Sequence, residues 1–436
     1  MYEKKYTVGL DLGTSSVKGV LFDGEKALFS ESAKFDYKDC SMNGAPYTGF
    51  DADEFCKTVF GVIERLAANV SGGICGIAVA SASGNTLLLQ AGKPLCSAYS
   101  WINSAFSAEV DALFSEEECK ELSEKSGWNF FKTFPVAHIA HVKAHAPELL
   151  ERTDTVCMTT EYLLWKMTGK WGADLSTATP SYLLNQAEGK YCEKTLERLG
   201  IKDKFLPPLG RTGDFLGYVT EGAFNEMNLQ AGVKVFLGSF DHPSGARANG
   251  VTREGDLLLS CGTSWVGFFP CRNRDYIVKS GYLCDPFMFD QGLWGAMFSF
   301  AQVSEKIDLI LKKYVPEAAA DAKTFDKLSE RAAPGCGGLK INPVTDYEGD
   351  FAGFGKEDIC RAVMEGMAHT VREKLAELSK DGVNFNRIVM AGGPSNSDIW
   401  RKILGEVCGR EIETRYKSSS GAVGAAMLAF NGQTEI

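Results

Sequence analysis

The chain has 436 residues, of which 44% are hydrophobic and 23% charged, and its formal net charge is −10. This length favours two domains of about 200 residues each over a single core. The acidic balance and the lack of a basic block argue against a nucleic-acid partner or an anionic membrane surface.

The sequence also bears on location. No apolar run reaches the ~18 residues of a membrane-spanning helix, and residues 1–5 (MYEKK) lead into a strand without the apolar segment of a signal peptide. The cysteines are scattered without a Cys-x-x-Cys pair, which fits reduced thiols better than a disulfide framework or a zinc cage. We therefore expect a cytoplasmic protein that does not bind membranes.

The first informative motif is a turn at residues 11–16 (DLGTSS), flanked by two apolar runs that read as strands. Gly13 lets the backbone come close to a ligand, and the hydroxyls of Thr14 and Ser15 can point at phosphate oxygens. A carboxylate at the mouth of the turn, Asp11, suits a Mg²⁺ that arrives with a nucleotide. A single hairpin of this kind is more often a plain turn, so the motif alone leaves both interpretations open.

The rest of the chain alternates between strand-like and helix-like patterns, which is typical of an α/β protein. The first half predicts a helix over 53–69, strands over 74–80 and 86–89, a helix-rich stretch over 105–169, a turn-rich connection over 206–214 and a strand over 233–238. The second half predicts a strand–turn–strand over 255–269, a helix over 357–380, a strand over 387–393, a helix over 398–408 and a closing helix of small residues over 421–429.

The strand–turn–strand of the second half repeats the first hairpin about half a chain later. Its turn reads SCGTS at residues 260–264 and contains Gly262, Thr263 and Ser264. Two matching hairpins suggest a duplicated domain, with the phosphates of a nucleotide bound in the cleft between the copies.

Asp241 follows the strand predicted over 233–238. Together with Asp11 it suits phosphoryl transfer, in which one carboxylate holds Mg²⁺ and the other accepts a proton from the attacking hydroxyl. The alternative is a helix N-cap, because Asp before Pro243 and a run of small residues is a common helix start. Beside two phosphate hairpins, the catalytic interpretation is favoured.

Gly392, Gly393 and Asn396 lie in a turn between a predicted strand and a predicted helix. Glycines there permit a base or ribose to rest on the backbone, and a helix N-terminus favours anionic groups. A plain strand–helix turn is the alternative.

Two other polar groups also have two interpretations. His138, His141 and His145 are spaced three and four apart on a helical pattern, a spacing that suits a metal. Core or surface histidines are favoured, because the sequence sets no carboxylate or cysteine beside them. Trp101 and Asn103 follow an apolar strand and could present an indole and an amide to a polyol, or be a buried Trp beside a turn Asn.

Taken together, these motifs resemble the FGGY family of carbohydrate kinases, within the actin-like ATPase superfamily. The matching segments occur in the family's order at residues 11–14, 238–241, 260–264, 361–368, 392–404 and 424–426. The resemblance implies two actin-like (ribonuclease H-like) α/β domains, residues 1–238 and 239–436, with mixed sheets flanked by helices and an ATP cleft between them. It also implies transfer of the γ-phosphoryl of Mg-ATP to a hydroxyl of a small ketose or polyol.

The resemblance assigns roles to the motif residues. Asp241 would be the general base, and Asp11 and Asp241 would hold Mg²⁺. The other assignments are phosphate contacts from Gly13, Thr14, Ser15, Gly262, Thr263 and Ser264, adenosine contacts from Gly392, Gly393 and Asn396, and sugar contacts from Ser83, Trp101, Asn103, Asp241 and His242.

The sequence departs from the family on the sugar side, so the acceptor stays open. Residues 81–84 read SASG where many members have Gln-Met-His-Gly, and residues 101–105 read WINSA in place of Trp-x-Asp-x-Arg. Two alternatives follow, a non-catalytic sugar or nucleotide sensor and an actin-type ATPase with a protein partner. The presence of both Asp11 and Asp241 favours the active kinase. A homodimer is compatible with the sequence, although nothing in it fixes a symmetry.

Overall fold

The computed structural model describes residues 5–433; residues 1–4, discussed above for a signal peptide, and residues 434–436 lie outside the described residues. The chain forms two compact units, each discontinuous in sequence. The first contains Met1–Ala248, Asn273–Gly295 and Ser419–Ile436, and the second contains Asn249–Arg272 and Ala296–Ser418. The boundary between residues 238 and 239 stays a prediction.

The predicted α/β class is confirmed, with strands and helices alternating along the described residues. The strands are β1 Tyr6–Leu12, β2 Ser16–Phe22, β3 Ala27–Lys34, β4 Lys38–Met42, β5 Ala45–Phe50, β6 Ile74–Ser81, β7 Leu87–Gln90, β8 Lys93–Pro94, β9 Ala98–Tyr99, β10 Thr155–Cys157, β11 Ala173–Asp174, β12 Leu184–Asn185, β13 Lys190–Tyr191, β14 Leu209–Gly210, β15 Phe215–Tyr218, β16 Lys234–Phe240, β17 Asp256–Cys261, β18 Trp265–Cys271, β19 Leu283–Met288, β20 Leu293–Phe300, β21 Arg387–Gly392 and β22 Ile412–Glu413.

The helices follow most of the predicted ranges. They are α1 Ala52–Ala67, α2 Ser107–Asp111, α3 Glu116–Ser126, α4 Pro135–His145, α5 Pro147–Arg152, α6 Thr159–Thr168, α7 Leu175–Ala178, α8 Glu193–Leu199, α9 Glu221–Glu226, α10 Asp241–Ala248, α11 Arg274–Lys279, α12 Val303–Tyr314, α13 Pro316–Ala320, α14 Ala322–Arg331, α15 Lys356–Lys380, α16 Asp398–Cys408 and α17 Ser420–Asn431. None of the helices within residues 5–433 has the length and hydropathy that a membrane crossing requires.

The main sheet of the first unit has the strand order β15-β16-β6-β1-β2-β3. β1 pairs with β2 as an antiparallel hairpin and with β6 in parallel, and β16 also runs parallel to β6. Ser81, the last residue of β6, lies opposite both Leu12 of β1 and Phe240 of β16. The carboxyl ends of three parallel strands therefore meet at one edge of the sheet.

Side-chain alternation gives this sheet two buried faces. On β6, Ile77 and Val79 join the large apolar cluster that includes α1 and α6. Ala78 and Ala80 point the other way and form a small cluster with Ala425 of α17. The sequence pattern of β6 is continuously apolar because both faces are covered.

The face covered by α17 permits only small residues. A Cβ added to Gly9 of β1 would overlap the carbonyl oxygen of Ala422, and one added to Gly424 would overlap the carbonyl oxygen of Ser244 in α10. Thr7 of β1 also donates its hydroxyl hydrogen to the carbonyl oxygen of Ala426, at 2.8 Å. The predicted helix of small residues is confirmed, and Gly9 on one side and Gly424 on the other allow its backbone to approach those of β1 and α10.

The second unit has a sheet with a similar local pattern. β17 pairs with β18 as an antiparallel hairpin and with β21 in parallel, and β22 follows β21. This repeats the arrangement of β1 with β2 and β6. α15 packs against α14 and α16, and it confirms the helix predicted over 357–380. Its apolar residues are mostly buried, whereas Leu375 is only partly buried.

Helix α6 starts with a buried carboxyl group. Glu161 is 2% exposed, and its Oε2 accepts a hydrogen bond of 2.6 Å from the backbone N–H of Met158. Burial raises the pKa of Glu161 to about 8, with a further rise from the charge of Asp174. The fold therefore favours the protonated, neutral side chain.

Glu161→Gln tests this conclusion through the pH dependence of stability. Because the folded-state pKa is raised, the stability that protonated Glu161 contributes is present below about pH 4.5 and is lost as the pH rises towards 8. Glutamine stays neutral and still accepts the hydrogen bond from Met158. We expect the unfolding free energy of the variant, relative to wild type, to increase by about 2–4 kcal/mol between pH 5 and pH 8 in urea titrations. A difference in unfolding free energy between variant and wild type that does not change with pH would contradict the raised pKa of Glu161.

Candidate active site

Three segments of the first unit converge at the carboxyl edge of its main sheet. They are the turn after β1, the loop after β6 and the start of α10. Because Leu12 and Phe240 lie opposite Ser81, these segments leave the sheet side by side. The backbone N–H of Ala82 donates to the carbonyl oxygen of Leu12 at 2.9 Å, which joins the loop to the turn. Such an edge is where open α/β sheets bind ligands.

The edge brings Asp11 and Asp241 together. Burial raises the pKa of Asp11 to about 7, the negative charge of Asp241 raises it further, and Lys18 opposes the rise. Asp241 is the first residue of α10, its side chain is 26% exposed, and its Oδ1 accepts a hydrogen bond of 2.7 Å from the N–H of His242. Carboxylate oxygens are the hard ligands that Mg²⁺ prefers. A divalent cation would also relieve the repulsion between Asp11 and Asp241, so this pair of side chains fits Mg²⁺.

The first hairpin turn has its hydroxyl groups at the surface. Gly13 donates its N–H to the carbonyl oxygen of Ser16 at 3.0 Å, which closes the turn. Tyr37 donates its hydroxyl hydrogen to the carbonyl oxygen of Thr14. Thr14 is partly exposed and Ser15 is exposed, so both hydroxyls are accessible to a ligand.

Gly421 of α17 lies directly against the carboxylate of Asp11. A Cβ at this position would lie 2.8 Å from Oδ2 of Asp11. The small-residue helix that closes the chain therefore also fixes the space available to a carboxylate of the site.

Sequence reasoning missed a buried polar network behind Asp241. The backbone N–H of Phe240 donates to Oγ of Ser176 at 2.9 Å, and that hydroxyl donates to Oδ2 of Asp285 at 2.6 Å. Burial raises the pKa of Asp285 to about 7, while Ser176 and Arg247 oppose the rise. Asp174 lies near the same charges and caps α7 by accepting from the N–H of Thr177 at 2.7 Å.

Arg247 supplies the positive charge of this network. Burial lowers its pKa to about 10, against the charges of Asp285 and Asp174, so it stays protonated at neutral pH. It donates to Oγ of Ser239 at 3.2 Å and to the carbonyl oxygen of Phe287. The available sequence signal was one charged residue inside the small-residue run that follows Asp241.

Of the residues predicted to contact the sugar, Ser83 and His242 lie at the same edge. Ser83 is 5% exposed, and its hydroxyl donates to the carbonyl oxygen of Thr177 at 2.5 Å. The Nε2 atom of His242 lies 3.9 Å from Oδ1 of Asp241, and its ring packs edge-on against Phe240. His242 is therefore partly accessible beside the carboxylate, whereas the Ser83 hydroxyl is directed into the protein.

Asn103 uses its side-chain polar atoms within the protein. Its Oδ1 accepts from the N–H of Thr48 at 2.6 Å, and its Nδ2 donates to the carbonyl oxygens of Thr48 and Ser100 at 2.8 and 2.6 Å. These bonds tie the turn at residues 100–103 to β5, as the turn interpretation predicts. Trp101 is only partly buried, and its backbone N–H donates to Oδ1 of Asn85 at 3.2 Å.

In the second unit, the hairpin turn is held by residues just before and at the start of α12. Ser304 donates its hydroxyl hydrogen to the carbonyl oxygen of Gly262 at 2.6 Å and its N–H to the carbonyl oxygen of Thr263 at 3.1 Å. Gln302 donates its N–H to Oγ of Ser264 at 3.0 Å. The Ser264 hydroxyl thus accepts a hydrogen bond from the protein itself.

The glycine turn after β21 also lies in the second unit. Gly392 has φ = +93°, and a Cβ there would overlap the carbonyl group of Cys261 in β17. Ser395 donates to the carbonyl oxygen of Gly392 at 2.6 Å, and Asn396 donates its Nδ2 hydrogen to the carbonyl oxygen of Gly393 at 3.1 Å. Glycine is required at 392 by close backbone approach and by the left-handed conformation.

The histidines of α4 need one correction. His138 is a buried core residue whose Nδ1 lies 2.8 Å from the Thr86 hydroxyl, as favoured above. The expectation that no carboxylate accompanies the histidines is wrong, because Nε2 of His145 lies 3.0 Å from Oε1 of Glu109. Glu109 belongs to α2, 36 residues before His145, so only the folding of α2 onto α4 brings it there.

Comparison with known proteins gives matches over nearly the whole chain. Residues 6–247 match the N-terminal domain, and residues 311–432 the C-terminal domain, of the FGGY family of carbohydrate kinases. A xylulose kinase of Staphylococcus xylosus is 22% identical and is covered over 91% of its length by 98% of this chain. An autoinducer-2 kinase of Enterobacter sp. (strain 638) is 25% identical, with 86% of its length and 98% of this chain covered.

Solved structures agree in fold. The xylulose kinase from Rhodospirillum rubrum superposes with a TM-score of 0.85 at 22% identity, covering 99% of this chain and 92% of that one. A Plasmodium falciparum glycerol kinase with ADP gives 0.85 at 16% identity, covering 99% and 90%. The predicted two-domain actin-like α/β fold is confirmed.

Gly421→Ala tests the packing of α17 against Asp11. The added methyl group would displace the carboxylate, and displacements of this size at a reacting centre cost up to about 100-fold in rate. We expect turnover to fall at least tenfold while circular dichroism remains that of the wild type. Gly222→Ala is the control, because Gly222 is a glycine of α9 at which an added Cβ would meet nothing within 4 Å. Equal turnover in the two variants would contradict the assignment.

Arg247→Met tests the buried network. Removing the cation leaves the buried Asp285 carboxyl with only the hydrogen bond from Ser176, and we expect the unfolding free energy to fall by about 3–5 kcal/mol. In the double variant Arg247→Met with Asp285→Asn, the loss should be smaller than the sum of the single losses by at least about 1 kcal/mol. Urea unfolding of the wild type, the two single variants and the double variant measures this coupling energy. Strictly additive losses would contradict an interaction between Arg247 and Asp285.

Proposed function

Because the chain belongs to the FGGY family of carbohydrate kinases, we propose that Asp241 is the general base in its transfer of the ATP γ-phosphoryl group to a hydroxyl of a small ketose or polyol. The protein is an ATP-dependent sugar kinase. The observation that carries the proposal for Asp241 is its place at the carboxyl edge of the sheet, beside Asp11 and partly exposed at the start of α10.

The proposed base has one oxygen available for the acceptor. Oδ1 of Asp241 accepts the N–H of His242, which fixes the orientation of the carboxylate. Oδ2 is then the atom that takes the proton as the acceptor oxygen attacks phosphorus. The partial positive charge at the N-terminus of α10 stabilises the negative charge on this group.

We propose Asp11 as the main protein ligand of Mg²⁺, with Asp241 sharing the ion. The mutual repulsion of the two carboxylates supports this assignment, because a divalent cation removes it. Bound Mg²⁺ would neutralise charge on the phosphate oxygens of ATP.

The remaining assignments concern the two turns and the sugar side. Gly13, Thr14 and Ser15 with Gly262, Thr263 and Ser264 are proposed to contact phosphates, and Gly392, Gly393 and Asn396 to contact adenosine. The accessible hydroxyls of the first turn support its role. For the acceptor, the exposures of His242 and Trp101 support contact with sugar hydroxyls, while Ser83 and Asn103 are proposed to shape the loops that surround it.

Neither alternative function is supported by the relatives, which are kinases by name. The cytoplasm is the proposed compartment, because the thirteen cysteines are all thiols and most of them are buried. The homodimer stays a prediction.

The function is tested by coupled ADP release with Mg-ATP against ketoses and polyols of three to seven carbons. Ketopentoses come first, because several relatives are named xylulose kinases. One strongly stimulating compound, with the sugar phosphate identified by mass spectrometry, is the expected result. Slow hydrolysis that no compound stimulates would contradict the proposal and favour the sensor or the ATPase.

Asp241→Asn removes the proposed base while keeping the side-chain shape and the hydrogen bond from His242. We expect kcat to fall by about 10²–10⁴-fold, with little change in the affinity for ATP measured by calorimetry. Asp308→Asn, which removes an exposed carboxylate paired with Lys312 on α12, should keep normal turnover. Near-normal turnover of the Asp241 variant would show that another group takes the proton.

Asp11→Asn tests the proposed metal ligand. The variant keeps the size of the side chain but loses a charged oxygen ligand, so we expect the Mg²⁺ concentration for half-maximal rate to increase at least tenfold. Rates are measured with Mg²⁺ varied at fixed ATP, and chelation of the ion should abolish wild-type turnover. An unchanged Mg²⁺ dependence would remove Asp11 from the metal site.

A further inference from the structure

A second cluster of ligand-type side chains lies in the first unit between α2 and α4. Among the described residues, Glu109, His141 and His145 each offer one ligand atom, and these three atoms lie within 4.8 Å of one another. We propose that this group is a zinc-binding site, formed by two imidazoles and one carboxylate, that joins α2 to α4.

The spacing within α4 places two imidazoles side by side. Residues four apart share one helix face, and the rings of His141 and His145 have centroids 4.6 Å apart. The same His-x-x-x-His spacing on a helix is used in zinc enzymes because it presents two nitrogens to one ion. The sequence alone supplies these two ligands.

The fold supplies the third ligand. Nε2 of His145 lies 3.0 Å from Oε1 of Glu109, and two ligands of one tetrahedral Zn²⁺ are separated by about 3.3 Å. The ion would take the place of the proton that joins these two atoms, and that proton would leave to solvent. Glu109 is held in place because the neighbouring Phe106 packs its ring 4.5 Å from that of His141.

His141 has the kind of hydrogen-bond partner that orients a metal-binding histidine. Metal-binding histidines usually use one ring nitrogen for the ion and the other for a hydrogen bond that fixes the ring. Nδ1 of His141 lies 3.0 Å from the buried hydroxyl of Tyr99, which assigns Nε2 to the ion.

The site is also reachable from solvent. The side chains of His145 and Glu109 are 35% and 18% exposed, whereas His141 is 2% exposed. An ion can thus enter from the surface and complete its tetrahedron with water. Imidazole and carboxylate ligands with one water suit Zn²⁺ better than Mg²⁺, which prefers oxygen ligands in octahedral geometry.

Metal titration of the purified full chain tests the proposal. The protein is treated with a chelator, desalted, and titrated with Co²⁺ followed by visible absorption, then with Zn²⁺ by calorimetry. We expect one tightly bound Zn²⁺ per chain and a tetrahedral or five-coordinate Co²⁺ spectrum without a thiolate charge-transfer band. No saturable binding at micromolar metal, or a thiolate band from the chain's cysteines, would overturn the proposal.

Three variants and one control assign the ligands. Glu109→Gln and His145→Gln should each weaken Zn²⁺ binding at least tenfold, and Tyr99→Phe should weaken it by about 10- to 100-fold. His369→Gln changes a histidine of α15 in the second unit and should leave the affinity unchanged. Zn²⁺ should raise the thermal unfolding midpoint of the wild type but not that of the Glu109 variant. If both ligand variants bind as the wild type does, the site is elsewhere and the proposal fails, whatever the outcome for the kinase function.

Discussion

The close approach of α17 to β1 and α10 is the constraint on which the geometry of the proposed catalytic residues in the first unit depends. The helix comes so near that a Cβ at Gly9 or Gly424 would overlap a carbonyl oxygen, and Gly421 touches the carboxylate of Asp11. Backbone contact at this distance leaves no room for side-chain rearrangement. The positions of β1 and α10, and with them the two carboxylates, are consequently fixed by the last helix of the chain.

Holding two carboxylates side by side requires electrostatic compensation. The pKa of Asp11 is raised, because burial and the charge of Asp241 both disfavour its ionised form. Behind Asp241, the charge of Arg247 offsets Asp285 and Asp174 inside the protein. The network also holds the end of β16 through Ser176, so the same groups that balance charge orient the residue just before the proposed base.

Much of the architecture followed from local pattern. The two hairpins and the helix over 398–408 are confirmed, because each depends on turn residues or hydrophobic period within a short segment. A helix also starts at Asp241, as the alternative interpretation of that residue held, with Asp241 as the first residue of α10. The contacts of the residues predicted to bind the sugar could not be inferred in this way. Asn103 has the residue type of a sugar ligand, yet its amide binds Thr48 and Ser100, and no local pattern could foresee that β5 would lie beside it.

The sequence by itself determined the α/β class, the two Gly-Thr hairpins, the turn glycines and the family, since these depend on residue order over a few positions or on motifs in series. Tertiary structure alone decided which charges meet. The Arg247 network joins segments near residues 174, 240 and 285, and the cluster at His145 needs Glu109 from another helix. Such contacts arise from the register of parallel strands and the packing of separate helices. Spacing along a chain does not encode distances across a sheet.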